Sequence, residues 1–538
     1  MMKTRLGEMF ILLALSLSAF AQHDPGRNAA RLLASDKTDA AIALAEKPPP
    51  NKMNSPIDDA ERCFVLTMAA CQRDDAAAAF NYAKQAIDYG LSIERLHAGP
   101  RDILEPLYEH SEFKKWITTR QKQLLHGPLL GSVTDTSARF WVRTAGETKV
   151  QVIVQAVSEN GPTSDPIVGK AKTSSKADHT ATIQISGLTP NTQYRYSVLV
   201  NNEEAGPTFE FRTFPKQATT SRFSIAFGGG AGFTPQYERM WTTIDKRNVS
   251  ALLLLGDNVY IDDPEHQLTQ RYCYYRRQSR PEWKQLVGST SVYSIYDDHD
   301  FGTNDCIPGP DVDNPTWKRE VWNVFRQNWN NPAYGGGEKQ PGCWYDFHIG
   351  DVHFIMLDGR YYRDLKGASM LGAAQKAWLF ESLKSSAGTF KVLTSPVPWS
   401  PGVKRSKDTW DGFPEEREEI FSFIETHHIS GVLLMGADRH RSDLRKIKRA
   451  NGYDLYEVMS SRLTNVHTHG LIEDAKGSEF IMGYNSKCSF GLVTFDTTAE
   501  DPSITYSIVS IDDELIDSRS LTLSQLRDHR QTEPERTK

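Results

Sequence analysis

Three apolar runs, each ending in a tight group of acids and histidines, constrain this chain more than any other feature. They read LLLLGDNVY, with Asp257 behind the run; SVYSIYDDHDFGTND, with Asp297, Asp298, His299, Asp300, Asn304 and Asp305; and LLLMGADRH, with Asp438 and His440. Short aliphatic runs closed by Gly or Asp read as buried strands. A single acid behind a strand is usually a cap or turn former. Three such groups behind three strands are poorly explained that way. Carboxylates and imidazoles that converge where strands end make a site for hard or borderline metal ions. Further strands (FSIAF, CWYDFHIGDVHFIMLDGR, FKVLTSP) and helices (QYERMWTTIDKR, GAAQKAWLFESLKSS) interleave with these runs, and strands return after Arg441. The order predicts a two-sheet α/β sandwich over residues 217–515, ahead of a polar tail at 516–538.

A chain of 538 residues exceeds one hydrophobic core, so further domains are expected upstream. Residues 1–21 read as a signal peptide: Lys3 and Arg5 precede a short apolar stretch, and Ala19 and Ala21 form an A-x-A-like cleavage site. This places the protein in the periplasm or outside the cell, with no transmembrane segment in the mature chain. Residues 22–125 show helical spacing and a faint likeness to tetratricopeptide hairpins. Ala79, Tyr82, Ala83 and Ala86 lie on one face, Pro106 starts or kinks a later helix, and Pro48–Pro50 breaks the segment. This module is a spacer, a packing cap or a dock for a protein partner. Over residues 126–216 the period becomes two, and ISGLTPNTQYRYSVLVN resembles an immunoglobulin or fibronectin type III sandwich, which organises its neighbours and carries no chemistry. A net charge of -6 gives no signal for binding nucleic acid. Six scattered cysteines lack zinc-finger spacing; Cys306 and Cys343 are the pair expected to join in an exported protein.

The acids and histidines suit hydrolysis of phosphate esters, which are anionic and repel a nucleophile. A bound metal ion neutralises them and lowers the pKa of water to about 7. Asp257 is the candidate carboxylate shared between ions, and His299 the group that protonates the leaving alkoxide. Asp297 or Asp300 is expected to orient the His299 ring. Arg360, in LDGRYYR, either grips phosphate as a fork or serves a structural Asp–Arg pair. FGGGAGF, Gly228 to Gly232, reads as a close backbone approach to the site. Tyr272, Tyr274, Tyr275, Trp317, Trp322, Trp329, Trp344, Tyr361, Tyr362, Trp399 and Trp410 line either a cleft or the core.

GDNVYIDD, YDDHDFGTND, LDGRYYR, LGAAQKAWL and GADRH, in that order, resemble the motifs of the alkaline phosphatase D (PhoD-like) phosphoesterases, within the calcineurin-like metallophosphatase superfamily. The resemblance implies hydrolysis of phosphodiesters and phosphomonoesters with iron and calcium; manganese or zinc are alternatives, and one or two ions are expected. It makes Asp257 the bridging aspartate, Tyr260 an iron-binding tyrosinate, and Asp438 and His440 the last ligand pair. Asp298 stands where the superfamily has a metal-binding Asn, beside the catalytic His299, while Asn304 and Arg360 line the substrate site. One departure is plain: Gly229 or Gly230 occupies the place of the family's iron-binding Cys. TSPVPWS also lacks the superfamily's His, leaving Ser395 there. A degenerate binding or scaffold protein is therefore the alternative, and phospholipase-type or nucleotide-cleaving substrates are a third reading.

Overall fold

In a computed structural model of the chain, residues 24–47, 57–159, 161–404 and 406–527 are described. The expected signal peptide, the Pro48–Pro50 break and the extreme C-terminus lie outside the described residues. Among the described residues seven helices come first, from Pro25–Ala34 to Ser111–Thr118. Their starts follow from capping side chains: Asp24 accepts from Arg27 N at 3.0 Å, Asp58 from Glu61 N at 2.7 Å and Asp75 from Ala78 N at 2.9 Å. Ala79, Ala83 and Ala86 are buried and let Ala76–Asp88 lie close against Asp59–Gln72, while Tyr82 is half-buried. Pro106 sits inside the helix Arg101–Glu109 and does not start it.

The next residues form two layers of strands. Leu124–Gly131, Ser137–Thr144 and Thr180–Ser186 make one; Ile167–Lys172, Lys149–Ser158, Gln193–Val200 and Phe209–Arg212, in that order, make the other. Burial alternates along Lys149–Ser158 as far as Val157, as a sheet with one wet face requires. Phe140 and Tyr196 fill the space between the layers, with ring centroids 4.5 Å apart.

The first layer is not a separate sheet. Leu124–Gly131 runs parallel to Ser291–Ile295, with Gly131 opposite Val292, and so extends a sheet of nine strands. From the other edge that sheet runs Leu515–Thr522, Ser503–Ser510, Ser489–Asp496, Arg222–Gly228, Ala251–Leu255, Ser291–Ile295. The expected polar tail thus begins too early, because Leu515–Thr522 is the edge strand and Leu523–Leu526 a capped turn after it. A seven-stranded sheet faces this one, in the order Tyr345–Ile349, Val352–Met356, Phe390–Thr394, Val432–Gly436, Leu455–Ser460, Ser442–Ile447, Glu479–Tyr484. Rings from both sheets meet in the core, Tyr293 on Phe347 at 3.7 Å and Phe354 on Phe495 at 5.7 Å. The two-sheet α/β sandwich expected from the sequence is present. Its central strands Ala251–Leu255, Ser291–Ile295, Phe390–Thr394 and Val432–Gly436 are buried throughout, which is why they read as unbroken apolar runs.

All six cysteines are free thiols, so the expected Cys306–Cys343 bond is absent. Of the aromatics offered for a cleft, all but Trp317 are buried, and they build the core. No helix among the described residues is long and apolar enough to cross a membrane.

Candidate metal centre

The strand ends are drawn together by glycine. Gly256 has φ +99°, and a Cβ there would stand 2.5 Å from the Cβ of Asp297, so the exits of Ala251–Leu255 and Ser291–Ile295 touch backbone to side chain. The turn that follows carries Asp257, Tyr260 and Asp262 at φ values of 54°, 50° and 54°, in the left-handed region that non-glycine residues rarely adopt. Asp438 and His440, on the facing sheet, do the same at 67° and 45°. Asp300 holds the first turn by accepting from Asn258 N at 2.8 Å and Val259 N at 3.0 Å. Asn258 Nδ2 in turn donates to Ile295 O at 2.7 Å.

Asp257, Asp298 and His299 come together here: all three are buried, with candidate ligand atoms within 4.8 Å of one another. Burial pushes the Asp257 carboxyl well above its ordinary range, against the pull of His299, and Asp298, Asp297 and Asp300 push it further. Asp257 Oδ1 and Asp297 Oδ2 are buried without a hydrogen bond, and Asp298 Oδ1 has none either but lies 3.5 Å from Arg360 Nη2. Buried carboxylate oxygens in this state are costly unless a cation satisfies them, so the donor set fits a metal ion.

His299 Nδ1 bonds to Asp262 Oδ1, and Asp262 Oδ2 takes the guanidinium of Arg27 from the first helix. Burial would raise Asp262, but His299 and Arg27 hold it at about 2. Burial opposes a charge on His299; Asp262, Asp298 and Asp257 outweigh it and lift the imidazole well above its usual value. The orienting partner is therefore Asp262, and neither Asp297 nor Asp300 fills the role expected of them. Asp300 is spent on the turn, and Asp297 pairs with Arg360 Nε.

Arg360 sits differently from an exposed phosphate fork. It is fully buried and bonds Asp297 through Nε and Asp408 at 2.7 and 3.0 Å, with Asp298 at 3.5 Å. Its donors are taken, which suits the structural alternative weighed for it. Asn304 is exposed, one residue before Asp305. Asp305 and Asp408 form a second acidic group with Asp298. Lys404 Nζ lies 3.5 Å from Asp305, 3.1 Å from Asp408 and 3.3 Å from Asp438. Asp438 thus faces a lysine, and the three carboxylates hold that lysine charged despite its burial.

His440 Nε2 meets the Tyr260 hydroxyl at 2.9 Å, and the Tyr260 ring lies 4.6 Å from that of His299, so the histidine and carboxylate groups adjoin. His440 is stacked on His469 at 5.2 Å and edge-on to His467 at 5.2 Å, and ligand atoms of these three lie within 4.8 Å of one another. Gly229 and Gly230 leave no room for a side chain: a Cβ would stand 2.8 Å from Ala437 Cβ at the first and from Arg462 N at the second. Ser395 accepts from Trp410 Nε1 at 3.0 Å, within the core. Sequence reasoning passed over Asp262, Lys404, Asp408, His467, His469 and Arg27. The H-x-H spacing of VHTHG was a readable signal for the histidines, and Arg27 had none.

Residues 225–480 match the PhoD-like phosphatase family, and residues 121–219 match a domain of unknown function, DUF7800. The chain is similar to alkaline phosphatase D of Bacillus subtilis (strain 168), with 23% identity over 317 residues. That likeness covers 49% of this chain and 54% of the relative, about half its length. Among solved structures the fold is similar to that of PhoD, with TM-score 0.62 and 16% identity over 74% of this chain and 91% of that one. It is also similar to the purple acid phosphatase PPD1 from yellow lupin (Lupinus luteus) seeds, with TM-score 0.56 and 12% identity over 76% of each chain. The two-sheet core thus shares the fold of PhoD, and residues 225–480 of the chain belong to the PhoD-like phosphatase family.

Proposed function

We propose that this protein is an exported, metal-dependent phosphoesterase acting on small phosphodiesters or phosphomonoesters, periplasmic or secreted. The observation that carries the reading is the buried group Asp257, Asp298 and His299, with carboxylate oxygens left unbonded beside Tyr260 and His440. Asp257, Tyr260, Asp298, Asp438 and His440 would hold the metal; calcium and iron are the first candidates. When bound, such an ion neutralises phosphate oxygens and brings the pKa of water to about 7. The chain's own residues supply the rest. Asp262 takes the Nδ1 side of His299 and leaves Nε2 to deliver a proton to the departing alkoxide. Arg360 fixes Asp297 and Asp408 and so holds the loop that carries Asp298. Asn304, exposed beside this loop, is available to the substrate.

In this reading the modules are 22–125, 126–216 and a core that starts at 217 and runs through its edge strand Leu515–Thr522. The small sandwich is of the fibronectin type III kind: its strands divide three and four, and the Tyr194 hydroxyl accepts from Thr189 N at 2.8 Å, the corner contact of such domains.

Elemental analysis of the purified protein, paired with hydrolysis of bis-p-nitrophenyl and p-nitrophenyl phosphate, tests the proposal. Bound metal and chelator-sensitive turnover, lost in His299→Ala and Asp257→Asn, are expected. A protein without metal and without turnover after addition of iron, calcium, manganese or zinc would leave only a binding role.

A further inference from the structure

We infer that His467 and His469 complete, with His440, a three-imidazole site that takes a borderline transition-metal ion of the zinc or cobalt(II) class. It extends the proposed metal centre and rests on His440 being a ligand there. The carboxylate group around Asp257 is a different kind of place, built of hard oxygen donors.

The donors are arranged for it. His469 Nδ1 lies 3.1 Å from the backbone carbonyl of Arg439. A carbonyl can only accept, so the proton of a neutral His469 sits on Nδ1, and its Nε2 carries a lone pair. Fixing one ring nitrogen on a backbone carbonyl is how proteins orient an imidazole toward a metal. His467 Nε2 lies 3.0 Å from that same His469 Nε2. Two imidazole nitrogens on a tetrahedral zinc ion, each at about 2.0–2.1 Å, stand about 3.3 Å apart. The pair is therefore within a few tenths of an ångström of a ligand spacing; without an ion, a proton on His467 Nε2 donates to the His469 lone pair at the same distance. His440 is buried, and its Nδ1 has no hydrogen-bond partner.

Position and chemistry agree. VHTHG follows the strand Leu455–Ser460, whose exit also carries Ser461 against Gly229. Gly229 and Gly230 contribute no side-chain donor, so at this edge the imidazoles are the donors on offer. His467 and His469 are half-buried, which leaves an ion a way in. Imidazole sets favour zinc, cobalt, nickel, copper and iron, whereas calcium and magnesium prefer oxygen.

The test uses the full chain stripped with chelator and titrated with Co²⁺, read by its visible absorption, and separately with Zn²⁺ and Ca²⁺ by calorimetry. Wild type is expected to bind Co²⁺ with nitrogen-ligand bands. The double variant His467→Gln/His469→Gln is expected to lose about 100-fold or more in Co²⁺ and Zn²⁺ affinity and to keep its Ca²⁺ binding. The single variant His467→Gln, on a half-buried loop, serves if the double variant does not fold. Unchanged Co²⁺ affinity and spectrum in the variants, or no Co²⁺ binding by wild type, overturns the inference. A Co²⁺ site lost in the variants of a protein that hydrolyses no phosphate ester would overturn the proposed function and leave this site standing. Turnover with a Co²⁺ site indifferent to both histidines would do the reverse.

Discussion

Between Arg27 and His299 stands one carboxylate, Asp262, with one oxygen on each. That arrangement fixes the ring of His299 and decides which nitrogen faces the site. In Asp262→Asn the amide keeps the shape but loses the charge and can turn a donor toward Nδ1, leaving the wrong tautomer. The kcat for bis-p-nitrophenyl phosphate is expected to fall about 10²- to 10⁴-fold, with KM and thermal stability little changed. Steady-state kinetics beside a melting curve check this, and equal losses in kcat and stability would mean that Asp262 is merely structural. Asp257, Asp298, His299 and His440 were legible because each follows an apolar strand within a few residues. Asp262 was not singled out because it lies beyond the turn, where an acid has many ordinary uses. A second residue shows the opposite balance. Burial lowers Lys391 to about 8 from 10.5, and its ammonium donates to Ser430 O at 3.1 Å. Between those values the unfolded chain binds more protons, so stability rises with pH across the window. Below it the charge is buried at full cost. Lys391→Met should therefore stabilise the protein at pH 7 by on the order of 2–3 kcal/mol, with the gain gone near pH 10.5. Denaturant melts at the two pH values measure it; an equal gain at both would rule out titration as the cause.

At the scale of elements, the first helix does more than cover the core. Pro25–Ala34 is capped by Asp24, which also pairs with Arg276, at 2.9 Å from Nη1, on the helix Gln267–Gln278. Burial disfavours the Asp24 charge, but Arg276 and Arg27 hold the carboxyl below its usual range. Glu61 of the third helix accepts from Tyr272 at 2.6 Å on the same partner helix and pairs with Arg95. The helical segment is thereby locked in a register that sends Arg27 Nη1 to Tyr260 O at 3.2 Å and to Asp262. Helical spacing was readable in the sequence. Its docking was not, since the partners lie more than 200 residues away and no local period records them. Arg27→Met is expected to lower kcat about tenfold, which is ~1.4 kcal/mol of barrier, without raising KM. Arg27→Lys should recover most of it by restoring the charge beside Asp262. A drop in melting temperature with kcat intact would reduce the helix to a packing cap.

For the whole molecule, the consequential fact is the nine-stranded sheet that runs from the small sandwich into the phosphatase core. The sequence marked where the period changes from two to alternating strands and helices, and those changes are present. What periodicity cannot carry is a pairing between Leu124–Gly131 and Ser291–Ile295, or the polar contacts that seal the seam. Arg143 of the sandwich is fully buried there and bonds Asp178 at 2.9 Å, Asn328 at 2.9 Å and His126 Nδ1 at 2.9 Å. Trp141 Nε1 reaches Gln327 O at 2.8 Å, and the Tyr196 hydroxyl reaches Gly288 O at 2.6 Å. A seam of this kind transmits unfolding, so heat or denaturant should melt sandwich and core together, with fluorescence and ester hydrolysis lost in one transition. Arg143→Met sharpens the expectation. It would leave Asp178 buried with the Tyr275 hydroxyl, at 2.7 Å, but without its ion pair. Removing one partner of such a pair costs about 3–5 kcal/mol, because the remaining charge is uncompensated. The variant should unfold at lower denaturant and lose hydrolysis at the same point, although Arg143 contacts no residue of the metal centre. If hydrolysis instead survives beyond the loss of the sandwich's structure, the core folds alone and the shared sheet is only an abutment.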